Sequence, residues 1–528
     1  MAQRTRLSVK DFPLPLVSDD LGNTSFINSY DQEEEQPLPY WVENVMPTLN
    51  GVKTVSYSEK FKIPLPSKFQ PFAPTKLYTQ VVYGANGESG ILMLYNSSLL
   101  YYSLRTNSWV ELAPTVTFSG LEPNVCKVKD TIYIFHKSLG MKKLDTVNSV
   151  LADVTLNGLD QGLVDSIGAV NNYLVVVIDS AIYWSTPTDP LEFTPILNDV
   201  STGAGSSSIQ GLKGVIIHSA AIGTSLLLFT NYHIIAMRMT GNSMNPWTFK
   251  EVQNSFGVAT PRHVAINNSG ALYVWSSAGL QAVSDTEAVN VFPEITDFLK
   301  GGIIERRKNG STFEIEKFQG LILDIRLAFV SGRFLCVSYG TAGVYEFVLV
   351  YDAGLKRWGK LAYNHYEIIE DIVLQTGFMR YMDLTAPYVA YMATPVKSLD
   401  GDSYKNIQTP NAFCLVDATG NIIQVSSSDR INANTEGLML YGRLSQTRTS
   451  MVTLLELRFR RFESLVGKLL VKSEFDEEQY NFEQELTPHP DFADTWFLMQ
   501  EARNHFIAVK GTFTITCLEA TLVKSSRV

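Results

Sequence analysis

A chain of 528 residues is longer than one hydrophobic core supports, so two or more cores, or a ring of repeated units, are expected. Hydrophobic residues at 45%, charged residues at 18% and a mean hydropathy of +0.02 describe a folded chain and exclude a disordered one. A formal charge of −10 argues against a protein that grips nucleic-acid phosphates through clustered Lys and Arg, and no apolar run approaches the roughly 18–20 residues that cross a bilayer.

Residues 1–75 differ from the rest. Prolines at 13, 15, 37, 39, 47, 64, 66, 71 and 74 exclude long regular elements, and the expectation is an extended N-terminal arm laid over another surface. The opening residues reach Asp11 and Pro13 without an apolar signal core, which predicts synthesis in a cytoplasm. From Asp11 to Gly51 there are eight carboxylates and no Lys or Arg. Within them Asp31, Glu33, Glu34 and Glu35 are either a solvated loop or a surface facing a basic partner.

Residues 76–437 alternate short β-branched and aromatic runs with Asn, Gly, Asp and Ser turns, such as Thr131–Phe135, Tyr173–Ile178 and Ala271–Trp275. Three stretches turn and return onto a large apolar residue at one shared spacing: Tyr102 to Trp109, Leu144 to Leu151 and Tyr351 to Trp358. Strand chemistry around a recurring turn, in so long a chain, predicts an all-β fold with a β-propeller. The runs group into six blades, near 78–112, 122–153, 165–196, 212–252, 263–293 and 320–361. Residues 366–425 either complete the last blade or form a seventh. Insertions at 294–318, with a basic patch from Lys300 to Lys308, and at 376–409 are expected partner-contact regions.

From 438 to 528 a different strand pattern predicts a C-terminal antiparallel β-sandwich. Glu474, Asp476, Glu477, Glu478, Glu483, Glu485 and Asp491 fall here with no Lys or Arg among them. They are a solvated hairpin loop or an acidic lining of a channel.

Reactive chemistry is not legible. There is no phosphate-binding G-x-x-x-x-G-K-[ST] loop, no G-x-S-x-G elbow and no H-E-x-x-H pair, and the seven His are isolated. Cys126, Cys336, Cys414 and Cys517 form no C-x-x-C pair, so neither a metal site nor a disulfide framework is expected. No catalytic residue and no cofactor is predicted. Carboxylate pairs of the kind some propeller glycosidases use are spatial, and one sequence does not display them.

Several stretches, in order along the chain, resemble the tail hub or nozzle proteins of short-tailed bacteriophages, a family that includes proteins described as stabilising packaged DNA. They begin with Gln3-Arg-Thr, Phe12-Pro-Leu-Pro and Glu43 to Val52. Tyr183-Trp-Ser-Thr-Pro-Thr-Asp-Pro190 with Phe193 follows, then Ser225 to Met237 with Trp247, Phe249, Asn254 and Gly257. Tyr441 to Arg448 leading into Thr453 to Leu457 is the last. The resemblance implies a structural virion protein, six copies ringed below a connector or adaptor, holding fibres or spikes, with genomic DNA passing through without sequence-specific binding. It would act without a membrane partner. The alternative is a carbohydrate-binding or carbohydrate-cleaving propeller for receptor recognition. A kelch-like scaffold is a third reading, but the one Gly-Gly doublet, Gly301-Gly302, falls in an insertion.

Overall fold

The computed structural model describes residues 4–9, 39–48, 51–75, 77–84, 89–113, 122–195, 203–209, 213–242, 246–267, 270–319, 322–330, 332–341, 343–374, 409–426, 436–444, 452–461, 466–474, 481–487 and 495–524. Its recurrent unit is a four-stranded antiparallel meander. Five of these follow one another in the chain, starting at Leu77–Tyr83, Asn124–Val128, Ser166–Val170, Ile216–Ile222 and Val264–Ile266 and ending at Ser108–Ala113, Val150–Asp153, Gly205–Ser208, Trp247–Glu251 and Ala288–Asn290. The third blade runs past its expected end because its outer strand, Gly-Ser-Ser-Ser, carries none of the β-branched residues that mark strands.

A sixth meander starts at Ile322–Val330 and ends in the long strand Arg357–Leu374, which passes straight into a seventh. Up to His365 that strand pairs with Tyr345–Asp352, and from His365 onward with Thr409–Asp417. Ile422–Ser426 and then the N-terminal Ser56–Ile63 complete the seventh sheet. The described parts of 366–425, residues 366–374 and 409–425, therefore belong to a seventh blade, the alternative that the sequence left open, and the count of six becomes seven.

Apolar clusters between consecutive blades close the ring. Leu92 and Tyr101 meet Ile132 and Leu144 between the first and second blades. Around the circle the same happens at each step until Ile369 and Cys414 meet Leu77 and Ile91 between the seventh and the first. The chain is a β-propeller. Each sheet is apolar on both faces because it lies between two others, and this is why its strands read as near-continuous hydrophobic runs.

The recurrent turn has one geometry. Tyr102 lies opposite Trp109, Leu144 opposite Leu151 and Tyr351 opposite Trp358, joining the third and fourth strands of the first, second and sixth blades. Asn107, Ser149 and Lys356, each five residues after the first member of its pair, all stand at positive φ, 50°, 55° and 53°. The residue after the first member caps the loop: Asp145 accepts from the Val147 and Asn148 amides, and Asp352 from those of Gly354 and Leu355.

The C-terminal residues form the two facing sheets of a sandwich, with Val42, Met439, Leu457, Trp496, Ile507 and Phe513 in its core. Part of that core is N-terminal. Pro39–Glu43 pairs with Gly437–Leu444, while the hairpin Val45–Thr48 and Gly51–Thr54 bridges Lys360 of the sixth blade to Ile515 of the sandwich. Arg4–Val9 lies along Thr514–Lys524. Over the described residues of 39–63 the expected extended arm consists of strands in this chain's own sheets. Proline excludes long elements but not four- or five-residue ones: Pro39 opens an edge strand, and Pro47 sits in a four-residue strand that pairs with Lys360 only at Val45.

The insertion at 294–318 carries the helix Pro293–Gly301 and the hairpin Ile303–Arg307 with Ile315–Gln319. Its basic patch is used internally: Lys300 donates to the Ser277 carbonyl, Arg306 to the Glu346 carboxylate, and Arg307 and Lys308 pair with Glu43 and Glu314. The second insertion, 376–409, lies outside the described residues except at its last position.

Candidate functional site

The first strand of every blade faces the propeller axis, so charged residues in or beside those strands converge from distant parts of the sequence. Glu122 precedes the first strand of the second blade, and Arg262 and His263 the first strand of the fifth. Asp324 and Arg326 lie two apart on the first strand of the sixth, and Glu367 and Glu370 on the inner half of Arg357–Leu374.

They form one network. Arg326 Nε lies 2.6 Å from Glu367 Oε1 and its Nη2 lies 3.3 Å from Glu370, while Nη1 donates to the Leu327 carbonyl. Arg262 Nε is 2.8 Å from Glu122 Oε1 and 3.6 Å from Glu367 Oε2, and Nη1 is 3.4 Å from Asp324 Oδ2. The Tyr345 hydroxyl donates to the same Asp324 oxygen at 2.9 Å. Burial disfavours the charge on both arginines, but the surrounding carboxylates, Glu367 first, more than offset it and raise both above the ordinary guanidinium value. Burial raises the Glu122 carboxyl, with Arg262 opposing. It also lowers His218 and His263 to about 4, so both are neutral at pH 7.

Above this network opens a cavity of about 280 Å³ lined by Tyr78, Tyr345, Tyr366, Glu122, Arg262 and Asp324 among others. Among the described residues none donates a hydrogen bond to Glu122 Oε2, which is buried there. The arrangement supplies charge and aromatic walls. No group of three or more His, Cys, Asp or Glu suited to a metal occurs among the described residues. Burial pushes the Cys126 thiol up to about 12 and raises Cys414 as well, which is the opposite of a nucleophile's environment.

The acidic positions singled out in the sequence are elsewhere. Glu474 ends Val466–Glu474 in the sandwich, 3.1 Å from Lys472 Nζ, and its carbonyl accepts from the Arg503 amide. Asp31, Glu33, Glu34, Glu35, Asp476, Glu477 and Glu478 lie outside the described residues. The axial cluster was not found from the sequence. Its available signal was a charged residue inside an apolar strand pattern, as in Ile322-Leu-Asp-Ile-Arg-Leu-Ala-Phe329 and Glu367-Ile-Ile-Glu370.

No protein-family model matches this chain, and no curated protein does. Solved structures similar to it include BamB from Moraxella catarrhalis at 10% identity, covering 82% of this chain and 99% of that one with a TM-score of 0.34. YCF48 from Cyanidioschyzon merolae is 14% identical, covering 70% and 98%, with a TM-score of 0.36. The β-propeller domain of Cps50 (Swd1) from Myceliophteria thermophila is 10% identical, covering 67% and 99%, with a TM-score of 0.35.

Proposed function

We propose that this chain is a structural tail protein of a short-tailed bacteriophage, a hub or nozzle subunit that assembles as a ring of six below the connector, anchors fibres or spikes, and surrounds the passing genome. The observation that carries this reading is the stitching of propeller to sandwich. One 13-stranded sheet runs through the sixth and seventh blades and, by way of the N-terminal hairpin, into the sandwich. Two units sharing a continuous hydrogen-bonded sheet behave as one stiff body, which suits a wall under load. The order of the resembling stretches along the chain supports the same reading, as does a charge of −10, which gives DNA no site at which to stick.

The Arg262 and Arg326 ion-pair network occupies the inner strands of the propeller, so the conduit in this reading runs between subunits and not through a blade ring. Six copies closing by rotation need two different faces on each subunit. Light scattering of the purified chain, alone and with the connector of its virus, tests the proposal. A particle near six times 58.9 kDa, or a ring seated on the connector, is the expected result. A stable monomer that joins no connector and is retained on immobilised glycans would replace this reading with the receptor-binding one.

A further inference from the structure

A blade ends on an outer strand, and an unpaired outer edge invites pairing with another chain unless charge or brevity blunts it. Glu111, Asp153 and Lys250 put charge on the outer strands of the first, second and fourth blades, and the outer strand of the fifth is three residues long. The outer strand of the third blade, Gly205–Ser208, carries no charge, no proline and no large side chain. Among the described residues its one neighbour in the sheet is Ala181–Trp184. Ile209 extends that ladder inward, its amide donating to the Ser180 carbonyl at 3.0 Å. Alternation along an antiparallel pair then aims Gly205 and Ser207 inward with Ile209 and turns the N–H and C=O groups of Ser206 and Ser208 outward. Both of these serines are exposed.

Beside this edge, against the outer strand of the fourth blade, runs a groove of about 610 Å³. The serines are too short to fill it, and Ile235, Trp247 and Phe249 give it an apolar floor. Lys213 and Lys250 also line it, both exposed and with no acidic partner among the described residues. Glu251 is the one carboxylate in the lining, and burial lowers His233 so that it adds no charge at pH 7. The groove is therefore basic by one charge on a chain whose formal charge is −10. An open edge next to a groove with an apolar floor and a basic margin matches an extended segment: its backbone continues the ladder while alternate side chains enter the groove.

We propose that the third blade docks an extended acidic segment of a partner protein, which adds as a further strand beside Gly205–Ser208, sets apolar side chains on Trp247 and Phe249, and places carboxylates at Lys213 and Lys250. The inference is independent of the tail-hub reading.

Fluorescence anisotropy of the full chain tests it with two labelled probes, Val-Asp-Val-Glu-Val-Asp-Val and the same peptide with Lys in place of every acidic residue. The acidic peptide should bind at least tenfold more tightly than the basic one. Ser206→Pro removes an outward N–H and no bond to Ala181–Trp184, so the thermal midpoint should stay near that of the parent while acidic-peptide binding falls at least tenfold. Lys213→Glu combined with Lys250→Glu changes two exposed residues and should reverse the preference between the peptides, which gives a second readout should the proline variant fail to fold. Absence of binding by the acidic peptide overturns the proposal. So does a parent chain that prefers the basic peptide, binding that survives Ser206→Pro at an unchanged midpoint, or a preference that the lysine changes leave as it was. Self-association of the parent in sedimentation, abolished by Ser206→Pro, would assign the edge to a second copy of this chain and overturn the proposal as well.

Discussion

The Lys360 ammonium lies 3.5 Å from the centre of the Trp41 ring and 4.4 Å from that of Phe347, wholly buried and with no hydrogen-bond acceptor among the described residues. Lys360 is also the residue at which the N-terminal hairpin pairs with the sixth blade, opposite Val45. The joint between propeller and sandwich is therefore built around a caged cation.

Burial lowers Lys360 to about 7, with Glu305 and Glu43 opposing. The unfolded chain keeps this proton up to about 10.4, so between 7 and 10 it binds more protons than the folded chain. Stability accordingly rises with pH across that window, and the full penalty applies below 7. Lys360→Met should stabilise the protein at pH 7 by on the order of 1–4 kcal/mol and flatten the rise. Urea unfolding at pH 7, 8.5 and 10 measures both, and a destabilised variant would show that the cage more than offsets burial.

Residues 39–63 are structural for this chain. Trp41, Val45, Val52 and Val55 are at most 1% exposed, and Ser56–Ile63 is the outer strand of the seventh blade. A chain lacking 39–63 should be insoluble or molten, and Trp41→Ala should lose about 3–5 kcal/mol. Circular dichroism and denaturant midpoints decide it: a soluble, cooperatively folding deletion would mean that these strands are dispensable.

Arg326→Met removes the 2.6 Å ion pair of Glu367, which is fully buried and keeps only the longer 3.6 Å approach of Arg262 from this pair of arginines. A loss of about 3–5 kcal/mol is expected. Adding Glu367→Gln should cost less than the two single changes summed, and strict additivity in this double-mutant cycle would show that the pair is not coupled.

Acid should weaken the fold through histidines. Burial lowers His365 to about 4, as it does His218 and His263. His365 Nδ1 donates to the Tyr363 carbonyl at 2.7 Å, leaving Nε2 to accept from the Ser338 hydroxyl at 2.9 Å. Unfolded histidines take up protons near 6.5, so stability is complete above that pH and is lost as pH falls toward 4. Thermal midpoints at pH 7, 5.5 and 4.5 should drop in turn, and more shallowly in His365→Asn. Parallel profiles for the two proteins would remove His365 from the account.

Lys356 holds a left-handed conformation at φ 53° in the recurrent turn. An L side chain costs about 1–2 kcal/mol there, part of which glycine returns as backbone entropy in the unfolded chain. Lys356→Gly should raise stability by roughly 0.5–1 kcal/mol. A lower melting temperature would show that the lysine side chain contributes contacts that outweigh the strain.

The amino-acid sequence by itself determined the elements that depend on neighbours in the chain. Alternation and turn chemistry placed the first, second, fourth, fifth and sixth blades close to their observed limits, and the Tyr102, Leu144 and Tyr351 turns share the geometry that their spacing predicts. Only the tertiary structure decided what distant segments make together. The sequence left the seventh blade as one of two alternatives because Arg357–Leu374 runs into it with no Gly or Pro after Gly359, and because its outer strand comes from residues 56–63. The axial cluster was hidden because its members lie as far apart as Glu122 and Glu370, and only closure of the ring brings them into Coulombic reach. Hydrogen-bonded turns and strand periodicity are local, and so are written in consecutive residues; ring closure and charge pairing act through space and follow from where the folded sheets end up.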